Sequence, residues 1–191
     1  MDQNFQVNRE GILNQIKENY GKLVYSNTTH LKAANILTKR NNIIKWLLII
    51  LSALTTGGLI TIICINNVKA LEIVTAVITT VTFALTAYQK SSSMVSRIVA
   101  HIQTANELWK LREEYLSLLT DFDSLSDNKI IDKRDYLTEK LGNIYAHEPL
   151  TNSKAYSLAQ KALKNDEEQF FSQEELDMLL PKHLRSKSNI K

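Results

Sequence analysis

Residues whose chemistry could support catalysis are few in this sequence, and they stand at no catalytic or metal-binding spacing. The chain has four histidines and one cysteine, which are scattered: His30, His101, His147, His183 and Cys64. One cysteine cannot form an internal disulfide, and the histidines do not combine with it into a spaced zinc motif. Each histidine is therefore predicted to lie on the surface or in a seam between helices.

The short motifs that bind phosphates or metals are also absent from the sequence, namely GxxxxGK[ST], GxGxxG and HExxH. Carboxylates cluster at Glu113–Glu114 and at Asp166–Glu168, where the surrounding pattern predicts solvated helix faces or helix caps. We therefore predict no catalytic residue, no cofactor and no metal, and we do not expect the chain to be an enzyme.

Hydroxyl groups form a regular pattern in the most apolar part of the chain. Four threonines recur at steps of four, three and four: Thr75, Thr79, Thr82 and Thr86. At about 100° per residue these steps place the hydroxyls on one side of a helix. Such a stripe can pack against a neighbouring helix while its hydroxyls bond carbonyls four residues earlier. It can also line a water-filled path, and the sequence is compatible with both.

Two long stretches without charge, 46–68 and 73–89, would position these threonines. A helix of roughly 20 apolar residues crosses the hydrocarbon core of a bilayer, which is about 30 Å thick. Backbone polar groups must be bonded internally in lipid, so each stretch is predicted to be a helix. Since residues 69–72 alone separate them, we predict a hairpin that crosses the membrane twice. The alternative is a soluble bundle, but soluble helices are rarely apolar on all sides for five turns.

Small residues in the first stretch predict close helix packing. Ala53, Gly57 and Thr61 lie four residues apart on one face, the small-xxx-small spacing of membrane helices that approach closely. Gly58 follows Gly57, and this pair makes the middle of the helix its least rigid part. Together with the threonine stripe, these positions are predicted to pack helices or to line a pore.

Basic residues near the two stretches predict the orientation of the hairpin. The net charge is +3, and residues 1–45 carry seven Lys or Arg against three Asp or Glu. Between the stretches there is only Lys69, which Glu72 offsets. By the positive-inside rule both termini are predicted to be cytoplasmic. A charge excess beside the membrane is typical of a membrane protein rather than a nucleic-acid-binding protein.

Apolar residues at three- and four-residue steps continue the hairpin into a predicted cytoplasmic stalk with coiled-coil spacing. Before the membrane the stripe is Ile12, Ile16, Tyr20, Leu23, Asn27, His30, Ala34 and Leu37. After it the stripe is Ile98, Ile102, Ala105, Trp109, Arg112, Leu116 and Leu119, with no Pro or Gly to stop the helix at residues 91–93. Counting about 1.5 Å per residue places His30 level with residues 102–105, and Arg112 level with residues 20–23. Asn27, His30 and Arg112 are therefore predicted to form polar layers in the stalk.

The sequence thus predicts an all-α protein with four regions. These are an N-terminal cytoplasmic helix (1–45), the transmembrane hairpin (46–89), a stalk helix (90–122) and a C-terminal helical region (123–191). Within the last region we expect helices at 129–146 and 153–163, and a capping box at Ser172 that opens a final short helix. The basic tail from Arg185 is predicted to be disordered.

Several segments together resemble the SLATT family, whose members are two-transmembrane effectors that accompany nucleotide-signalling synthases and SLOG sensors in bacteria. The similar segments are YGKLVYSNTTHLKAANILTKRNNIIKW (20–46), LSALTTGG (51–58), ANELWKLREEYLSLLTDF (105–122), RDYL (134–137) and AYSLAQKALKNDEEQFFSQEELDMLLPKHLR (155–185). Their order and spacing cover most of the chain, and they contain no catalytic motif.

The resemblance implies an effector of the bacterial inner membrane in an antiphage or conflict system. Such effectors are expected to form homo-oligomers and to permeabilise the membrane when a partner signals infection. The partner would be a nucleotide-signalling synthase, a SLOG-type sensor or a reverse transcriptase, and no nucleic acid is expected to bind. The alternative is a membrane-anchored scaffold whose cytoplasmic helices bind another protein without forming a pore.

Overall fold

A computed structural model describes residues 8–65, 69–169 and 171–185. This part of the chain contains α-helices and two short 3-10 turns and no β-strand, which confirms the predicted all-α fold. The helices are α1 (Arg9–Cys64), α2 (Lys69–Ser91), α3 (Met94–Asp121), α4 (Asp127–His147), α5 (Ser153–Lys164) and α6 (Gln173–Leu179). The 3-10 turns are Phe122–Ser124 and Lys182–Leu184.

Helix α1 is one continuous helix of 56 residues. Its first turn is capped by Asn8, whose side-chain oxygen accepts a hydrogen bond from the amide of Gly11 at 2.8 Å. At 1.5 Å per residue the helix is about 84 Å long. It packs against α3, α4 and α5 near its start and against α2 near its end, so a single rod connects the polar and the apolar halves of the molecule.

The second half of the hairpin does not continue unbroken into the stalk, and the predicted uninterrupted helix is wrong at this point. Helix α2 ends at Ser91, and Ser93 adopts a left-handed conformation with φ of 43° before α3 begins. The hydroxyls of Ser91 and Ser92 donate to the carbonyls of Tyr88 and Gln89. Serine side chains compete in this way with backbone bonding, so consecutive serines end a helix without Pro or Gly.

The part of the molecule outside the apolar hairpin is a helical bundle built around the α1–α3 pair. Its core contains Ile16 and Leu23 from α1, Leu108 and Tyr115 from α3, and Ile130 from α4. Within the predicted α1 stripe, Tyr20 and Leu37 are half-buried and the other members are buried. The side of α1 that faces the bundle was therefore predicted correctly.

The predicted buried face of α3 is wrong by about one residue. The buried residues of this helix are Met94, His101, Thr104, Ala105, Leu108, Leu111, Tyr115 and Leu118. Three members of the predicted stripe, Ile102, Trp109 and Leu116, are instead exposed. Both faces carry apolar residues at helical spacing, and the inner face also has polar groups that find partners on α1, such as Tyr115, whose hydroxyl accepts from Asn19 at 3.3 Å.

The C-terminal region contains the predicted helices with small shifts. The capping box of α6 is confirmed: Ser172 Oγ accepts from the Glu175 amide, and a Glu175 carboxylate oxygen accepts from the Ser172 amide. Residues 69–72, which separate the two uncharged stretches, form the first turn of α2. Residues 66–68 at the end of the first stretch and residues 186–191 of the predicted disordered tail lie outside the described residues.

Candidate functional site

The hairpin of α1 and α2 exposes its apolar side chains instead of burying them. The most apolar 18-residue window of α1 is 0 % buried. The most apolar window of the segment Lys69–Ser124, which begins with α2, is 6 % buried. Both helices are long and apolar enough to cross a membrane. The core helix of a soluble protein would be mostly buried, so this exposure indicates a lipid environment.

Gly58 of α1 lies close to Thr75 of α2 in the hairpin. A Cβ atom added at Gly58 would lie 2.5 Å from Thr75 Oγ1, and Thr75 is buried. The same atom at Gly57 would meet nothing within 4 Å. Of the predicted small-residue face, Ala53 and Gly57 are exposed and Thr61 is half-buried. The glycine required by the hairpin is thus Gly58, and the face of Gly57 is unoccupied within one chain.

The threonine stripe of α2 is divided between the hairpin seam and the exposed surface. Thr75 is buried and Thr82 is half-buried, whereas Thr79 and Thr86 are exposed. The hydroxyls of Thr79, Thr82 and Thr86 each donate to the carbonyl four residues earlier at 2.8 Å. Their donors are therefore satisfied within the helix, while each oxygen can still accept a hydrogen bond.

Arg40 and Tyr88 join the two helices at the end of the hairpin next to the bundle. Arg40 Nη2 donates to the Tyr88 hydroxyl at 2.8 Å, and the guanidinium lies 5.9 Å from the centre of the ring. Trp46 nearby is 66 % exposed. Tyrosine, tryptophan and arginine at this depth are typical anchors at a membrane surface.

Two polar side chains of the predicted layers, Asn27 and Arg112, connect α1 to α3. Asn27 is 2 % exposed, and its Nδ2 donates to the Ala105 carbonyl at 2.7 Å. Arg112 Nε donates to the Tyr20 hydroxyl at 3.3 Å, and its guanidinium stacks 4.3 Å from the centre of the Trp109 ring. These bonds link the two stalk helices at defined heights.

The sequence analysis did not pair His30 with His101, yet the two rings meet in the core. Their Nδ1 atoms are 2.9 Å apart, and the residues are 0 % and 2 % exposed. On its other side His30 Nε2 lies 3.2 Å from a Glu148 carboxylate oxygen. The pairing could have been found from the count of helix rise outward from the membrane, which placed His30 level with residues 102–105, one residue from His101.

One arrangement of protons satisfies this cluster with both rings neutral. His101 donates from Nδ1 to His30 Nδ1, and His30 donates from Nε2 to Glu148. Two protonated rings would bring two N–H groups against each other across 2.9 Å. Burial lowers the pKa of His101, and the nearby imidazole of His30 and guanidinium of Arg97 lower it further.

A cavity of about 420 Å³ opens beside the histidine pair between α1, α4 and α5. Its lining includes Tyr25, Ser26, His30, Tyr145, Glu148 and Tyr156. Burial raises the pKa of Tyr145, while its hydrogen bond with Ser26 acts in the opposite direction. Among the described residues, no three potential metal ligands converge. The cavity offers hydroxyl and imidazole groups for hydrogen bonding.

The segment between α5 and α6 reaches the same part of the stalk. Lys32 Nζ donates to Glu168 at 2.8 Å, and Gln169 Nε2 donates to Thr28 Oγ1 at 3.0 Å. Glu167 and Gln169 have φ of 51° and 73°, the left-handed region that non-glycine residues rarely occupy. Contacts to α1 thus hold this segment in a strained conformation.

Among the comparisons with known proteins, a family model matches this chain. The model of the SMODS and SLOG-associating 2TM effector domain family 4 matches residues 12–175. Neither the curated proteins nor the solved structures give a match. The matched region contains α1 to α5 almost completely, including the apolar hairpin and the histidine pair. Since the match covers most of the chain, the protein belongs to the SMODS and SLOG-associating 2TM effector domain family 4, a family of two-transmembrane effectors of conflict and antiphage systems.

Proposed function

We propose that the protein is an effector of the bacterial inner membrane that assembles into oligomers and opens a pore or disrupts the bilayer. The observation that carries this proposal is the exposure of the hairpin: its most apolar windows are 0 % and 6 % buried. A helix pair that is apolar all round and unburied needs lipid or further copies around it.

The distribution of small and hydroxyl residues supports assembly of several hairpins. Ala53 and Gly57 form an exposed face on α1 at which another helix could approach closely. Thr79 and Thr86 are exposed on α2, with acceptor oxygens free for water. In a ring of hairpins the first face would contact a neighbouring copy and the second would line the path for ions.

The charges beside the hairpin support cytoplasmic termini. Lys39, Arg40 and Lys45 precede the first span, and Lys90 follows the second. Such residues belong on the cytoplasmic side, which places the bundle of α1, α3, α4 and α5 where a cytoplasmic signal can reach it. The signal would come from a nucleotide-signalling synthase, a SLOG-type sensor or a reverse transcriptase.

A membrane-potential dye in cells with inducible expression tests the pore. We expect depolarisation that grows with expression or with activation by the partner system. Replacing Thr79 and Thr86 together by Val should strongly reduce it, since the exposed acceptor oxygens are lost. Thr80→Val is the matched control, because Thr80 is also exposed and also donates to its own helix, at 2.9 Å, but lies off the stripe. Cells that stay polarised at every expression level and under activation would exclude the pore.

A membrane-anchored scaffold is the second candidate, and the exposed apolar residues around α6 favour it. Phe171 is 62 % exposed, and Met178 and Leu179 are each 72 % exposed. Such residues could bind another protein. A scaffold should keep its binding partners and its activity when Thr79 and Thr86 are replaced by Val, and it should lose them when Met178 and Leu179 are replaced by Ser.

A further inference from the structure

Helix α3 carries a second apolar stripe on the side that faces away from the bundle. Four large apolar residues recur every seven residues on this side: Val95, Ile102, Trp109 and Leu116. They are 58 %, 41 %, 42 % and 40 % exposed, in that order. Between them, also seven residues apart, lie Val99, Asn106 and Glu113. This is the heptad spacing by which one helix packs along another, and no helix in the described part of the chain covers it.

We infer that this outer α3 stripe pairs in parallel with the outer α3 stripe of a second copy in the same membrane. The inference rests on the proposed function only in that the hairpin spans a bilayer. Helix α3 starts three residues after α2 ends and runs beside α1, which continues into the first span. Two copies in one bilayer therefore send α3 out at the same height and in the same direction. Identical residues of the two copies then lie level with each other.

The polar residues of the stripe are suited to such a pair. In a parallel coiled coil Asn106 takes the position at which a single Asn fixes the register, because its carboxamide can donate to and accept from the same group of the second helix. Glu113 follows Arg112 in the sequence, and within the chain its carboxylate lies 3.4 Å from the Arg112 guanidinium. In a parallel pair Glu113 lies level with Glu113 of the second copy, and Arg112 of each copy, one residue earlier, lies beside this position and offsets the two negative charges.

A lipid surface does not fit the stripe as its occupant. From Val95 to Leu116 the stripe extends about 32 Å along the helix at 1.5 Å per residue. Because α3 runs beside the rod that enters the membrane, this length leads away from the lipid rather than along it. Headgroups could reach the first members of the stripe and not Trp109 or Leu116.

Cysteine cross-linking of the full chain in membranes tests this pairing. The one native thiol is removed by Cys64→Ser, since Cys64 is exposed. Asn106→Cys is then introduced, with Glu107→Cys as the matched control one residue away. Both positions are exposed, but Glu107 borders the α4 side of the helix. On mild oxidation we expect Asn106→Cys to shift most of the protein to the mass of a dimer, and Glu107→Cys to leave it monomeric.

A second variant separates pairing from folding. Ile102→Asp in the Asn106→Cys background should abolish the cross-link, because two carboxylates would meet in the seam. Gln103 is exposed and lies off the stripe, so the control variant Gln103→Asp should keep the cross-link. Equal cross-linking at residues 106 and 107, no cross-link at 106, or a cross-link to a different protein would each overturn the pairing.

The readout also distinguishes this inference from the proposed pore. Depolarised cells without a cross-link at Asn106→Cys would leave the effector proposal standing and end the α3 pairing. A cross-linked dimer in cells that stay polarised under activation would support the pairing and exclude the pore.

Discussion

The two halves of helix α1 pack by different rules, although one continuous helix carries both. In the bundle α1 buries Asn27 and His30, and their polar atoms bond groups on other elements. In both halves the threonine hydroxyls of α1 bond carbonyls of their own helix, and in the hairpin Gly58 gives a close approach to Thr75 of α2. In water, apolar burial holds helices together and buried polar groups must find partners across the interface. In lipid that driving force is missing, and close approach at small residues replaces it.

The largest effect should follow from filling the space at Gly58, where α1 lies close to Thr75 of α2. Gly58→Val adds a side chain where even a Cβ would lie 2.5 Å from Thr75 Oγ1. Thr75 is β-branched and cannot easily turn away, so we expect a loss of about 1–3 kcal/mol in stability or separation of the two spans. Gly57→Val is the control, because a Cβ there meets nothing within 4 Å. Thermal unfolding in detergent measures both, and equal stability of the two variants would contradict this packing.

In the bundle the largest effect should come from breaking the histidine pair. His101→Ala leaves His30 Nδ1 without its partner in a site that is 0 % exposed. An unsatisfied buried polar group costs about 1–3 kcal/mol. His147→Ala is the control, since His147 is exposed and bonds only the carbonyl of Asn143 at 2.9 Å. Chemical denaturation of the full chain in detergent should show a loss for His101→Ala alone.

The same pair should make bundle stability depend on pH. The pKa of His101 is lowered from its ordinary value of 6.5, so the folded state favours the neutral ring. The stabilisation is therefore complete above pH 6.5 and is lost as the pH falls through that value toward the lowered pKa. Groups around the pair are His30, Arg97, Glu148 and Tyr145. Melting curves between about pH 5 and 8 should slope less in His101→Asn, and equal slopes would contradict the assignment.

A smaller effect is expected at the break between α2 and α3. Ser93 has φ of 43°, which a β-branched residue adopts with difficulty. We expect Ser93→Val to destabilise the chain by roughly 1–2 kcal/mol and Ser93→Gly to have little effect or to stabilise it slightly. Thermal unfolding compares the two. If both variants melted alike, the left-handed conformation would not be needed for the connection between hairpin and bundle.

The smallest effect should come from the ion pair between α1 and the α5–α6 segment. Lys32 Nζ lies 2.8 Å from Glu168, but the Glu168 side chain is 48 % exposed. Exposed ion pairs contribute about 0.2–1 kcal/mol and are screened by salt. Glu168→Gln should therefore shift the midpoint of unfolding slightly at low salt and hardly at high salt. A large loss that persists in high salt would mean that this segment is a main support of the bundle.

The apolar runs and the amphipathic stripe before them were sufficient to predict the helical hairpin and the buried face of α1. This worked because the length of an uncharged stretch and the spacing of one amphipathic stripe are properties of the chain itself. The capping box at Ser172 could be predicted for the same reason, because all its hydrogen bonds form within four residues.

Tertiary structure decided which of two apolar faces of α3 enters the core. Trp109 and Leu116 have the right spacing for a seam, but α1 offers partners to His101 and Tyr115 instead. It also decided that Gly58 rather than Gly57 meets α2, and that Glu148 joins His30 from 118 residues away. Such choices depend on hydrogen bonds and contacts between distant segments, which a periodic pattern along one helix does not contain.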